Sequence, residues 1–142
     1  MIYCAYSGCG KTTYCKKHPD TTFDLDSSSF KKEENWEVVY VSIARILSES
    51  GKNVFISAHQ VVIKYLIANK IDFELILPSH EKEIWSKRLG LRWEMTRTQG
   101  NWNAFVDCNE NFEKDMKFYE SCDCVKHYVE AHIVTNIEEI LN

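Results

Sequence analysis

The stretch Ala5-Tyr-Ser-Gly-Cys-Gly-Lys-Thr12 constrains this chain more than any other. It follows a short apolar run, Met1-Ile-Tyr-Cys4, and leads into Thr13-Tyr-Cys-Lys-Lys17, which suits the start of a helix. Strand, tight loop and helix in that order match the phosphate-cradling pattern G-x-x-x-x-G-K-[ST], with Ala5 in the first glycine position. Gly8 and Gly10 let the backbone curl until several N–H groups point into one concavity. The N-terminus of the next helix adds partial positive charge and free donors. Lys11 is placed to reach outer phosphates and the Thr12 hydroxyl to touch a magnesium ion. The residues expected to hold phosphate are therefore Ser7, Gly8, Cys9, Gly10, Lys11, Thr12 and Thr13. A glycine-bearing turn with an incidental lysine would explain the same letters. The strand-like run before it and the helix-like run after it favour the phosphate loop.

Such a loop needs a sheet and a core behind it. The chain's 142 residues suggest one domain, 1–142, and its 44% hydrophobic content can supply the core. The formal charge of -4 argues against a general electrostatic grip on nucleic acid. No apolar run approaches the ~20 residues that span a bilayer, and no signal peptide is recognised before the loop, so no membrane partner is expected. Cys4, Cys9, Cys15, Cys108, Cys122 and Cys124 are scattered and read as free thiols packed as small apolar groups. Cys122-Asp-Cys124 with His127 lacks an obvious fourth ligand for tetrahedral zinc.

After the first helix, His18-Pro19-Asp20 is a break, because proline cannot continue a helix. Thr21 to Asp26 predicts a second strand ending in acids. Asp24 and Asp26, two apart on a strand, share a face. They serve either as a solvated strand end with a helix-capping acid, or as the acid facing bound phosphates, taking a proton from an acceptor hydroxyl or holding magnesium through water. Val38 to Ser50 predicts a helix with Val39, Ile43, Ile46 and Leu47 on its inner stripe, stopped by Gly51. Asn53 to Ala58 is a continuous apolar run, as in a buried parallel strand. It ends at Ser57 and His59, with no acid in that region. Gln60 to Asn69 predicts a helix and Phe73 to Leu77 a fourth strand. Ser79 is the expected cap of a helix from His80 to about Leu89, which Gly90 interrupts.

Three of the four arginines, Arg88, Arg92 and Arg97, fall close together. From Lys82 to Arg97 there are five basic and two acidic residues in an otherwise acidic chain. Arg88 and Arg92, four apart, share a helical face. Guanidinium groups suit phosphate, being planar and able to donate two parallel N–H bonds. The segment at about 80–98 is accordingly a candidate basic lid, with a solvated basic helix as the plainer reading. Trp102 to Glu120 predicts a helix whose core stripe includes Trp102, Phe105, Val106, Phe112, Met116 and Tyr119. Val125 to Val134 contains a final strand, and Thr135-Asn-Ile-Glu138 a capping box before a short C-terminal helix.

Strand and helix alternate throughout, which gives an α/β sandwich with a parallel sheet. Ala5–Thr12, Asp24-Leu-Asp-Ser-Ser28, Ser57-Ala-His-Gln60, Leu77-Pro-Ser79, the basic segment and Asn101-Trp102 together resemble the small phosphate-loop (P-loop) nucleoside and nucleotide kinases, especially the short phage and viral members. The resemblance spans almost the whole chain, and the phosphate loop is its most specific part. It implies a P-loop NTPase fold of the nucleotide-kinase kind, a three-layer sandwich on a five-stranded parallel sheet. It also implies phosphoryl transfer from ATP with Mg2+ and a cytoplasmic setting, the host's if the chain is viral. By position, Lys11 and Thr12 would serve the phosphates and metal, and Asp26 the acceptor and, through water, the metal. Arg88 and Arg92 would be the lid arginines. The chain departs from the family in Ala5, in the missing acid after the third strand, and in a short acceptor region. The expected acceptor is a nucleoside monophosphate or a nucleoside. A polynucleotide 5′ end, a nucleotide-binding regulatory module and a simple NTP hydrolase are the alternatives.

Overall fold

The three most continuous apolar runs become the middle of one sheet. In a computed structural model, which describes residues 1–30, 32–79, 81–130 and 137–141 (the Glu139 side chain excepted), the strands are β1 (Ile2–Ala5), β2 (Thr22–Leu25), β3 (Asn53–Ser57), β4 (Glu74–Pro78) and β5 (Lys126–Val129). Their order is β2-β3-β1-β4-β5, and every neighbouring pair is parallel, with Cys4 opposite Ile56 on one side and Leu75 on the other. Val54, Phe55 and Ile56 of β3 and Leu75, Ile76 and Leu77 of β4 are wholly buried. Burying one such aliphatic side chain contributes about 1.5–3 kcal/mol, so the central strands hold the core together. Phe23 and Tyr128, on the edge strands, stay exposed.

A parallel sheet buried on both faces needs helices on both. These are α1 (Lys11–Lys17), α2 (Trp36–Glu49), α3 (Gln60–Ala68), α4 (Lys82–Met95), α5 (Gln99–Ser121) and α6 (Ile137–Leu141), with a single 3₁₀ turn at Ser27–Ser29. Parallel crossovers are right-handed in nearly all proteins. The step from β1 to β2 runs one way across the sheet and every later step runs the other way. The rule therefore puts α1 on one face and α2, α3 and α5 on the opposite face. Packing agrees: α2 touches α3, α3 touches α5, and α6 joins α1 and β5. The arrangement is compatible with a three-layer sandwich. The reversal of direction leaves a crevice at the C-terminal ends of β1 and β3, where open α/β sheets bind ligands.

Beside that crevice, Tyr40 ties two strand ends together. Its buried hydroxyl donates to the Leu25 carbonyl at 2.5 Å and accepts from the Ser57 N–H at 2.9 Å. Leu25 and Ser57 are the last residues of β2 and β3, so one phenol bridges the two strand ends beyond their own ladder.

Several sequence expectations need correction. The buried face of α2 is Tyr40, Val41 and Ala44, whereas Val39 (57% exposed) and Ile46 (66%) face outward. The core follows Tyr40, whose ring packs on Phe30 and Trp36. Gly90 does not interrupt α4, which runs unbroken through it. A Cβ there would come within 3.3 Å of the Phe105 ring, so the glycine permits α4 and α5 to close together. Glu81 occupies the N-cap position of α4, because Ser79 instead donates to the Val129 carbonyl at the end of β5. Trp102 lies on the surface side of α5, and the buried stripe is Cys108, Phe112, Asp115 and Tyr119. The far end of the predicted last strand, and Thr135 and Asn136 of the predicted capping box, lie outside the described residues.

Candidate functional site

β1 ends at Ala5, and the chain turns through Tyr6–Gly10 before α1 begins at Lys11. Gly8 (φ 88°) and Gly10 (φ 92°) are both left-handed, a conformation that costs other residues about 1–2 kcal/mol. Gly10 stands at the N-cap of α1 with no side-chain bond to the helix, so no side chain of that residue competes for the first-turn donors. Cys9 points into the core, where burial pushes its thiol up to about 12, against the opposing pull of Arg88 and the Tyr6 backbone. It is a packing residue of the loop and is not poised as a nucleophile.

Helix α4 lies directly on this loop. The Trp85 indole N–H donates to the Ser7 carbonyl at 2.8 Å, and Arg88 Nε donates to the Gly8 carbonyl at 3.0 Å. The Arg88 guanidinium also sits over the Trp85 ring, 5.0 Å from its centroid. A Cβ on Gly8 would come within 2.9 Å of Leu89 Cδ2, and Leu89 is fully buried. Gly8→Ala is therefore expected to lower stability by about 1–3 kcal/mol, from left-handed strain and overpacking together. A urea titration reads this as a lower midpoint at unchanged slope. An unchanged midpoint would mean that the loop relaxes at no cost.

The two acids divide their partners. Asp24, on β2, takes both functional side chains of α1: Lys11 Nζ donates to Oδ1, and Thr12 Oγ1 donates to Oδ2 at 2.8 Å. Asp26 lies one residue beyond β2 and caps the 3₁₀ turn by accepting from the Ser28 N–H at 2.9 Å. Burial alone would raise the Asp26 carboxyl. The bonds from Ser28 and the charges of Lys11 and Lys32 outweigh it and hold the group below its ordinary value. Lys32 donates to the Ser27 carbonyl, and to that of Phe30 at 3.2 Å, and lies over Trp36.

His59, two residues past β3 at the N-cap of α3, completes this corner. Its Nε2 pairs with Ser27 Oγ at 3.1 Å, and its ring meets Trp36 edge-on. Burial first, and Lys32 second, depress its pKa, so the imidazole is neutral at pH 7. Arg92 also feels Asp26: burial and Arg88 lower its pKa while Asp26 pulls it back up. Arg92 Nε donates to Asn101 Oδ1 at 2.8 Å, tying α4 to the first turn of α5. A Cβ on Gly100 would sit 4.0 Å from Ser28 Cβ, so the α4–α5 corner reaches the acid turn. Arg97 does not join this group. It pairs with Glu94 at 2.7 Å and packs over Trp93 on the exposed end of the segment.

A small pocket of about 140 Å³ adjoins the loop on the other side, between α1, α4 and α6. Cys9, Gly10, Thr13, Tyr14, Lys17, Arg88 and Glu138 line it. Glu138 Oε1 pairs with His18 Nε2 at 2.6 Å, fixing α6 to the end of α1.

The structure thus brings Lys11, Thr12, Asp24, Asp26, Arg88 and Arg92 to one end of the sheet, around the loop that carries Ser7 to Thr13. For magnesium, the Thr12 hydroxyl and an Asp24 oxygen already lie side by side. Hard oxygen donors with few carboxylates suit this ion, which keeps several waters and leans on substrate phosphates. Asp26 is near enough to Lys11 to feel its charge, which fits a contact through water. Sequence reasoning missed Trp85, although it stands three residues before Arg88 on one helical face. It also missed Tyr14, Lys17 and Glu138 as a group, since nothing in local spacing joins residue 138 to α1. No protein-family model matches the chain, and no curated protein matches it.

Proposed function

We propose that this chain is a P-loop phosphotransferase of the nucleotide-kinase kind. It would move the terminal phosphoryl group of a nucleoside triphosphate onto a nucleoside monophosphate or a nucleoside, ATP with Mg2+ being the donor that the resemblance implies. The observation that carries this reading is the convergence on a left-handed glycine loop of one lysine, two carboxylates and two arginines. Phosphoryl transfer asks little covalent chemistry of a protein and much charge neutralisation and alignment. Lys11 exchanges its Asp24 contact for the outer phosphate oxygens. Magnesium, when bound beside Thr12 and Asp24, supplies further neutralisation of phosphate charge. Arg88 and Arg92 on α4 face the same corner and counter the charge that shifts toward the leaving oxygen.

The acceptor oxygen attacks the terminal phosphorus, and the bond from that phosphorus to the bridging oxygen breaks. The leaving diphosphate takes the electron pair. Where the acceptor is a hydroxyl, its proton passes to Asp26, which is held ionised. Neutral His59 and Ser27 flank that carboxylate and keep its surroundings polar without adding charge. Incubation with ATP or GTP, Mg2+ and a panel of nucleosides, monophosphates and DNA or RNA 5′ ends tests the reading. New phosphorylated nucleoside or nucleotide is expected. Products only at polynucleotide ends would reassign the acceptor. Phosphate release that no acceptor changes would make the protein a hydrolase, and nucleotide binding without turnover a regulatory module.

A further inference from the structure

The pocket beside the loop bears on which base the donor carries, an inference that rests on reading the loop as a triphosphate site. Its volume of about 140 Å³ is well below that of a site for a whole drug-sized ligand, so it suits one ring system whose phosphates lie outside, along the loop. Thr13, Tyr14 and Lys17 share one face of α1, and Glu138 reaches in from α6. The Tyr14 ring and the Arg88 guanidinium are planar groups on which a base can pack.

The polar groups of this pocket are unequal in what they accept. A carboxylate only accepts, and has about four lone-pair sites, so the His18 contact leaves room for two more N–H bonds. Lys17 only donates. Guanine presents two adjacent donors, the ring N1–H and the exocyclic N2 amine, next to an acceptor, O6. A carboxylate takes both donors at once, and an ammonium takes O6. Adenine offers a single exocyclic amine beside a ring nitrogen whose lone pair would face the carboxylate. His18 also anchors the Glu138 carboxylate, which reduces the ordering cost of a paired bond. We propose that Glu138 and Lys17 make this pocket selective for guanine, so that the donor is GTP in preference to ATP.

Calorimetric titration of the whole chain with GTP, ATP and inosine triphosphate, each with Mg2+, tests the proposal. A well-made bidentate base contact discriminates by about 1–3 kcal/mol, roughly 5- to 150-fold. GTP should bind at least about 10-fold more tightly than ATP, with inosine triphosphate, which lacks the N2 amine, between them. Glu138→Gln should cut the GTP/ATP ratio to about 2-fold or less, because an amide offers guanine one acceptor fewer and offers adenine's ring nitrogen a donor. Equal or tighter binding of ATP to the parent protein overturns the proposal, as does a ratio that Glu138→Gln leaves intact. Inosine triphosphate equal to GTP overturns the role of the second donor, whatever the variant does. If neither GTP nor ATP binds, the loop is not a triphosphate site and both readings fall. If ATP binds better, only the guanine preference falls.

Discussion

Lys11→Ala is expected to lower phosphoryl transfer by about 10³-fold or more, the scale on which single preorganised charge contacts act in such reactions. Its side chain reaches across the loop to Asp24, and the two side chains are 15% and 21% exposed. Among the described residues, Lys11 is not part of the buried apolar core. Asp24 keeps the Thr12 hydroxyl and some water after the substitution. The loss of stability should therefore stay at about 1.5–3 kcal/mol, the contribution of one hydrogen bond between charged groups. Product formation, triphosphate binding and a denaturation midpoint, measured on one preparation, separate the effects. Full turnover would remove Lys11 from the site. Loss of the fold would show that the lysine serves β2 and α1 instead.

The second large effect separates the two acids. Asp26→Asn should reduce kcat by about 10²-fold with little change in KM for the triphosphate, the lower end of what a positioned proton acceptor contributes. Asp24→Asn should act mainly through KM and the magnesium requirement, since Asp24 touches Lys11 and Thr12. The reverse pattern would exchange their roles. Asp26 also predicts a pH dependence. Its folded pKa lies below the ordinary 3.8, so it stays ionised as pH falls through the usual carboxylate range. The activity and the stability that depend on its charge are present above 3.8 and are lost only as pH falls through the lower folded value. A turnover profile between pH 4 and 7 should therefore show no inflection belonging to this group. An inflection there that disappears in Asp26→Asn would contradict the assignment.

What the sequence made legible was mostly periodic or covalently local. The apolar runs of β3 and β4 declare buried parallel strands because both faces of each strand must be apolar. The loop declares itself because its glycines, lysine and threonine are consecutive. Helix α2 was harder. Its apolar residues Val38, Val39, Val41, Ile43, Ile46 and Leu47 are numerous enough to support more than one stripe. The face actually buried is chosen by Tyr40, whose hydroxyl has two backbone partners on other elements. Asp24 and Asp26 share a face in any extended reading. The chain leaves β2 after Leu25, however, and so only Asp24 is aimed at α1. Glu138 with His18 is a contact across 120 positions, and local pattern carries no information about it.

The bonds from α4 to the loop have an electronic consequence. Trp85 and Arg88 occupy the carbonyl oxygens of Ser7 and Gly8. Each of those carbonyls belongs to a peptide unit whose other end is the N–H of the next residue. A donor drawn onto the oxygen pulls electron density along the amide and leaves that N–H more acidic, a cooperative strengthening of about 10–30% per bond. Arg88 carries a full charge and polarises its peptide more than the neutral indole does. The Ser7–Gly8 and Gly8–Cys9 peptides thus act as small induced dipoles, biased from behind by the helix that covers them. Trp85 in this way biases the Gly8 N–H from behind, while the polarised Cys9 N–H is already committed to the Tyr6 carbonyl at 3.2 Å.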